Sequence, residues 1–404
     1  MTSEQRGMSP RLIVGAATLL NLVSYVDRSC ISVAAPSIRQ EFHLTPAQLG
    51  VVFSSFFLSY AMLQVPWGIA ADRFGPRRIV VFAILAWSSF TALTGVASSF
   101  VVLVSVRFAF GGMEAALSPA ISSALKRWVP DSWRATAFGV FLGGGRLGGA
   151  FAPAAATFLL LRFGWRSTFL VIAAAGLFAA VVWLRAVPPQ ARLEPASRPS
   201  LKEGARSGSF RLVALLLVVF GYTFMWQFYA TWFPTYLIER HGFTLSQAAG
   251  YAALPFLFGI GSNWVGGFFC DALSRKVGLA VGRRIVGCFA LLLAALFFDL
   301  GIIGSARAAA WLLATAAGVG DLFLPVAWTV ATELGGKSAG AFAGLMNSAS
   351  SLGGFASPII LGAAIQHWKN WDSVLMTNVW ATFFSALLWI AVTWPRDVEL
   401  LSRS

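Results

Sequence analysis

Gly68-Ile-Ala-Ala-Asp72-Arg73-Phe-Gly75-Pro-Arg77-Arg78 is a short, polar and basic turn set between two long apolar runs. A degraded copy, Gly267-Phe-Phe-Cys-Asp271-Ala-Leu-Ser-Arg275-Lys276, follows 199 residues later, nearly half of the 404-residue chain. A second pair keeps almost the same offset of 205: Leu147-Gly148-Gly149-Ala-Phe-Ala-Pro153 and Leu352-Gly353-Gly354-Phe-Ala-Ser-Pro358. Each LGGxxxP alone reads equally well as close helix packing through small residues with a proline kink. The matched spacing is what predicts a duplicated architecture.

Between these marks the chain is too apolar for water. It is 57% hydrophobic and only 11% charged, with a mean hydropathy of +0.73, whereas soluble domains carry about 25% charge. A spanning helix needs about 20 mostly apolar residues. Such runs occur near 11–35, 47–71, 79–98, 100–124, 134–160, 166–186, 210–236, 244–270, 284–304, 308–332, 338–364 and 373–394. They are continuously apolar, unlike the alternating ten-residue strands of outer-membrane barrels. The expected fold class is therefore an all-α integral membrane protein of twelve transmembrane helices in two pseudo-symmetric six-helix halves. The halves are expected at 1–186 and 210–404, joined by a cytoplasmic linker at 187–209 that is rich in Pro, Ser and charge. The polar start, MTSEQRGMSPR, precedes an apolar run without a small-residue cleavage site, which predicts a retained first helix.

A formal charge of +14 would suggest nucleic acid in a soluble protein. Here placement explains it. With both termini cytoplasmic, the inside segments hold 21 Lys and Arg and the outside loops six, the asymmetry that orients helical membrane proteins. We therefore expect a multi-pass protein of a bacterial-type inner membrane and no nucleic acid partner. Cys30, Cys270 and Cys288 fall in or beside predicted helices without metal or disulfide spacing. No metal or cofactor is expected.

The GxxxDRxGxRR turn, the twelve segments and the internal repeat resemble the major facilitator superfamily over the whole chain. Within it, three stretches resemble the anion:cation symporter family of hexuronate, aldonate and glucarate transporters, related to animal sialic acid and vesicular glutamate carriers. They are Ser24-Tyr25-Val26-Asp27-Arg28 in the first segment, Arg107-Phe-Ala-Phe-Gly-Gly-Met-Glu114 in the fourth, and Gly344-Leu-Met-Asn347 in the eleventh. Trp232-Phe-Pro-Thr-Tyr236 and Asp321-Leu-Phe-Leu-Pro-Val-Ala-Trp328 agree with this resemblance.

Charges in mid-membrane cost a few kcal/mol or more each and are functional by default. This chain holds Asp27, Arg28, Arg107, Glu114, Arg146, Asp321 and Asp299 there. Arg107 and Glu114 are two turns apart, about 10 Å along one helix face, whereas Asp27 and Arg28 diverge by about 100°. One of the latter pair is expected to meet the fourth segment and the other to enter the cavity. The expected roles are Arg28 for a substrate carboxylate, Asp27 and Glu114 for coupling protons, and Arg107 for a switching ion pair with those acids. The bland alternative is a structural buried ion-pair cluster.

Tyr25, Tyr60 and Gln64, with Trp328 and Asn347, are expected to hydrogen-bond a polyol; the resemblance favours Tyr25, Tyr60 and Asn347. Packing is the rival reading for Gln64 and Trp328. Asp72 and Arg73, with Asp271 in the copy, are gate candidates, since an Asp at a helix end can hold one conformer and release it in another. One departure stands out. Where many relatives carry a sugar-binding Gln, this chain reads Gly143-Gly144-Gly145-Arg146. Arg146 in the cavity would suit a dicarboxylate or a phosphorylated or sulfated acid; snorkelling or paired with an acid such as Asp321, it is structural. Asp321 itself carries a proton, balances Arg146, or caps a break before Pro325.

His43, His241 and His367 fall in outside loops and are expected to be solvated, leaving proton transfer to carboxylates. Clustered nucleophiles or paired histidines are missing, which argues against an enzyme. The function expected is symport of a small organic anion, a sugar acid, with protons or Na⁺ by alternating access in a monomer. The alternative is a proton-coupled exporter of drugs or other amphiphiles.

Overall fold

The structure is a computed structural model that describes residues 9–44, 46–188, 201–368 and 370–393. Most of the expected linker, residues 189–200, lies outside the described residues. Among those residues the secondary structure is helical, in fourteen α-helices. They are α1 Pro10–Phe42, α2 Pro46–Phe74, α3 Pro76–Gly95, α4 Phe100–Glu114, α5 Leu117–Trp128, α6 Arg134–Ala186, α7 Leu201–Thr231, α8 Phe233–His241, α9 Leu245–Val277, α10 Leu279–Ile303, α11 Ala306–Asp321, α12 Leu324–Gly335, α13 Ala339–Trp368 and α14 Trp371–Val392.

These account for the twelve predicted segments. The α4–α5 and α11–α12 pairs each make one interrupted rod, α8 continues α7, and α6 is two helices joined at Gly164, whose φ of 76° breaks the helix. Glycine fits that left-handed conformation because it has no Cβ. Helix α7 begins nine residues before the seventh predicted segment, within the expected linker. Nine spans are long and apolar enough to cross a membrane among the described residues. The predicted segments outside that set are α1, the first part of α6, and α13, which carry the Asp27-Arg28 pair, the Gly143–Arg146 run and the Ser- and Asn-bearing stretch after Met346.

The chain clusters into two compact units. The first contains Met1–Val129, Val140–Leu201 and Gly335–Gly344; the second contains Pro130–Gly139, Lys202–Leu334 and Leu345–Ser404. In the first, α2 packs on α4, and α3 on α4 and α5. In the second, α10 packs on α11 and α14, and α9 on α11.

The paired LGG motifs have equivalent surroundings in the two units. A Cβ on Gly148 of α6 would lie 2.5 Å from the Leu22 carbonyl oxygen of α1, and one on Gly353 of α13 would lie 2.4 Å from the Phe220 carbonyl oxygen of α7. Backbone approaches this close admit only glycine. Close packing is therefore what these motifs do.

Candidate functional site

Helix α1 and the end of α4 build the charged centre of the first unit. Glu114, fully buried, is the last residue of α4 before the break at Ala115–Ala116. Its Oε1 accepts Arg28 Nε at 3.0 Å, Arg28 Nη2 at 2.8 Å and the Ser24 hydroxyl. Three donors converge on one oxygen while Oε2, also buried, has no hydrogen-bond partner. The Arg28 guanidinium carbon lies 5.1, 5.2 and 4.7 Å from the ring centroids of Tyr25, Phe56 and Tyr60. An aromatic cage of this kind stabilises a cation by about 0.5–2 kcal/mol per ring, depending on desolvation.

Asp27 turns the other way, toward α3. It is buried, takes the Thr91 hydroxyl at 3.2 Å on Oδ1, and leaves Oδ2 without a hydrogen-bond partner. The divergence of adjacent residues therefore sends Arg28, rather than Asp27, to α4.

Arg107 differs from expectation. It forms no ion pair within 4 Å among the described residues; its guanidinium carbon lies 4.4 Å from the Phe110 centroid and 5.3 Å from that of Phe56. Two turns separate it from Glu114, and the neighbouring helix supplies Arg28 at the carboxylate instead.

Of the polyol candidates, Tyr25 and Tyr60 stand at Arg28. Gln64 is fully buried on α2, and neither its amide oxygen nor its nitrogen has a hydrogen-bond partner. Arg146 is half-buried on α6, beside Gly145, where a Cβ would meet the Tyr25 ring at 2.7 Å. Trp328 and Asn347 belong to the second unit. Trp328 is buried and stacked on Phe138 with centroids 6.1 Å apart, and Asn347 is half-buried.

The second unit has its own buried acid. Asp321 ends α11 immediately before a break, as Glu114 ends α4, and the two positions are 207 residues apart. It accepts hydrogen bonds from the Tyr222 hydroxyl, from Trp226 Nε1 at 2.8 Å and from Asn263 Nδ2 at 3.2 Å.

The repeated acidic turns cap helices. Asp72 accepts the backbone N–H of Gly340 and Ala341, both at 3.0 Å, at the start of α13, and the Ser123 hydroxyl at 2.9 Å. Asp271 accepts the N–H of Thr136 at 2.7 Å and of Ala135 at 3.3 Å at the start of α6, and the Thr136 hydroxyl at 2.7 Å. Each carboxylate thus satisfies orphan N–H groups at the positive end of a helix dipole. Arg73 is exposed, 5.2 Å from the Phe74 centroid, and Arg127 donates to the Asp72 carbonyl at 3.1 Å.

Several contacts gave no sequence signal. Glu333 of α12 binds Arg134 at 3.3 Å and also Arg283. Arg77 donates to the Val187 and Leu184 carbonyls at 2.6 and 3.1 Å, tying the signature turn to the end of α6. Each unit also carries a matched latch. Trp165 Nε1 donates to Glu41 at 2.7 Å beside an Arg166–Glu41 pair at 2.5 Å; Trp371 Nε1 donates to Glu239 at 3.2 Å beside an Arg240–Asp372 pair at 3.1 Å. Hydrogen bonds from Arg166 and Trp165 hold the Glu41 carboxyl below its ordinary range. His241, expected in solvent, is half-buried against the Tyr236 hydroxyl at 2.9 Å, and burial pushes its pKa down.

Residues 17–358 match the model of the Major Facilitator Superfamily. This chain belongs to that superfamily. It is 33% identical to a probable sulfoacetate transporter of Cupriavidus necator, covering 93% of this chain and 92% of the relative. It is 26% identical to the hexuronate transporter of Bacillus subtilis, covering 93% of each. The crystal structure of a superfamily transporter, FucP, in the outward conformation superposes with a TM-score of 0.81 at 13% identity, over 95% of this chain and 99% of that one. The superfamily member described here is accordingly a membrane transporter.

Proposed function

We propose that this transporter is a symporter of a small organic anion, a sugar acid, coupled to protons and working by alternating access as a monomer in a bacterial-type inner membrane. Both termini are placed in the cytoplasm, and the working halves are 1–186 and 210–404, joined by 187–209. The observation that carries this reading is the shared use of one guanidinium. Arg28 gives two N–H groups to buried Glu114, yet its side chain remains 23% exposed.

A substrate carboxylate and Glu114 compete for the same fork. When a proton neutralises Glu114, the countercharge is withdrawn and Arg28 is free to take the anion, so proton and anion enter together. The orphan oxygens of Asp27 and Glu114 suit this, because a buried ionised oxygen without a donor is costly and a protonated one far less so. Arg107 supplies the positive charge that compensates these acids once Arg28 has turned to substrate. Tyr25, Tyr60 and Gln64, with Trp328 and Asn347, serve the hydroxyls of the acid, and Arg146 adds positive charge for a second acidic group. Asp72 and Asp271 act as gate caps, released when α13 and α6 move, with Arg73 at the same turn. The relatives named as sulfoacetate and hexuronate transporters support an acidic cargo.

The test is uptake into proteoliposomes under an inward proton gradient, with labelled galactonate, glucuronate, glucarate and sulfoacetate. Arg28→Ala is expected to lose about 10- to 100-fold in uptake, the value of a charge-assisted pair. Glu114→Gln is expected to keep exchange and lose gradient-driven accumulation. If no acid moves and amphiphile efflux appears instead, the symporter reading fails and the exporter replaces it.

A further inference from the structure

Glycine contacts put the two units in register. The Leu22 carbonyl faces Gly148 as the Phe220 carbonyl faces Gly353, which matches α1 to α7 at an offset of 198 residues and the first part of α6 to α13 at 205. Hydrogen bonds to the buried acids keep the same register, from Ser24 to Glu114 and from Tyr222 to Asp321. Tyr25 then corresponds to Thr223, Gly145 to Ser350, Gly149 to Gly354 and Arg28 to Trp226. Local contacts agree: a Cβ on Gly149 would lie 3.5 Å from the Tyr25 ring, and one on Gly354 would lie 3.5 Å from Thr223 Cγ2. Where the first unit sets a phenol against a cation, the second carries a hydroxyl pair and an indole.

Thr223 Oγ1 and Ser350 Oγ lie 2.5 Å apart across α7 and α13, and both residues are half-buried. Thr231 and Ser351 on the same helices donate to the carbonyl four residues back, whereas Thr223 and Ser350 turn to each other. One O–H is spent between them, which leaves one O–H and the remaining lone pairs to offer. Half-buried Gln227, one turn beyond Thr223, brings an amide to the same face, its Oε1 3.6 Å from where a Gly354 Cβ would stand. Gly353 is held to glycine by its backbone contact, but at Gly354 a methyl would make only ordinary van der Waals contact. Packing does not demand glycine there, and its effect is to leave Thr223 and Gln227 uncovered. Residues 220–231 of α7 and 339–366 of α13 include no Asp, Glu, Lys, Arg or His.

We propose that Thr223, Ser350 and Gln227, with Gly354 making room, form a neutral subsite of the second unit that takes the hydroxyl groups of the cargo and so selects a polyhydroxy acid over a hydroxyl-free acid of the same charge. The inference rests on the symport reading, in which Asn347, three residues before Ser350, already serves such hydroxyls. The rival use of the pair is packing, a hydroxyl bond that holds α7 to α13.

Glucarate and adipate separate the two, being dicarboxylates of one chain length that differ only in their hydroxyls. Gradient-free exchange in proteoliposomes, with labelled galactonate, glucuronate, glucarate or sulfoacetate, is inhibited by one or the other unlabelled. Wild type should be inhibited by glucarate at about tenfold or more lower concentration than by adipate. The double variant Thr223→Val with Ser350→Ala should lose about tenfold of that preference by weakening glucarate alone, while Thr223→Ser, which keeps the hydroxyl, should retain it. Gly354→Ala should weaken glucarate against adipate with the unfolding midpoint unchanged. Equal losses for both acids in the double variant mean packing and overturn the proposal, as does a preference the double variant leaves intact. An unaltered preference in Gly354→Ala overturns it even if the double variant does not fold. Wild-type exchange without a preference for glucarate overturns this inference and leaves the symport reading standing; exchange of none of the four labelled acids sinks the symport reading, and the inference with it.

Discussion

Glu114 and Asp321 look alike in the sequence, two acids inside apolar runs, and in the structure each ends a helix and gathers donors from other helices. Glu114 takes the two-pronged contact of an arginine 86 residues earlier, and Asp321 takes hydroxyl, indole and amide donors. At the same scale, Glu41 offers a pH test outside the bilayer. Hydrogen bonds from Arg166 and Trp165 depress its folded-state pKa. A depressed carboxyl contributes stability that is complete above its unfolded pKa of about 4.3 and is lost as pH falls through the folded value. The thermal midpoint of wild type minus that of Glu41→Gln should therefore be constant above about pH 5 and shrink below about pH 4. Because Glu41 is an exposed partner, its worth is only about 0–1 kcal/mol. A difference that grows on acidification would refute this account. What the sequence could say at this scale was which charges are buried, since hydropathy shows that directly. It could not say that Arg28, rather than Arg107, takes Glu114, because partner choice depends on how α1 crosses α4.

Among the elements, the legible features were those that repeat. The Asp72 and Asp271 turns were recognisable from their spacing, and both cap the first residues of a helix more than 130 positions away in sequence. The Glu333 network with Arg134 and Arg283 was not legible, because it joins α12 to the starts of α6 and α10 and has no repeated partner to mark it. The helix break after Asp321 was hinted at by Pro325, and only the structure shows its counterpart after Glu114. Capping carries a measurable cost: removing an N-terminal acceptor from a helix destabilises it by about 0.5–2 kcal/mol. Asp72→Ala and Asp271→Ala should each lower the unfolding midpoint in detergent. Ser123→Ala, which removes one hydroxyl from Asp72 but leaves both backbone caps, should lower it less. If Ser123→Ala matches Asp72→Ala, backbone capping is not what Asp72 contributes.

Across the whole molecule, duplication explains more than the fold. Buried acid at a helix break, Asp-capped helix, LGG contact and Trp–Glu latch each occur once in each half, at offsets between 198 and 207 residues. The latches even invert their ion pairs, Glu41 with Arg166 but Arg240 with Asp372. Charge placement is what breaks the symmetry of the chain toward the two sides of the bilayer. Basic residues crowd the loops that carry the Asp turns and thin out at the loops that carry the latches. The positive-inside rule then predicts Asp turns that face the cytoplasm and latches that face outward. Exposed Gln40 lies at the latch end of α1, and exposed Ser132 lies just before the helix capped by Asp271. The native Cys30 and Cys270 are buried and Cys288 is half-buried, so a background free of all three is the clean host. In that host, a membrane-impermeant maleimide applied to intact cells should label Gln40→Cys and spare Ser132→Cys until the cells are opened. Labelling of Ser132→Cys in intact cells, with Gln40→Cys protected, would invert the topology and put both Asp caps on the outer side, where they could not gate release into the cytoplasm.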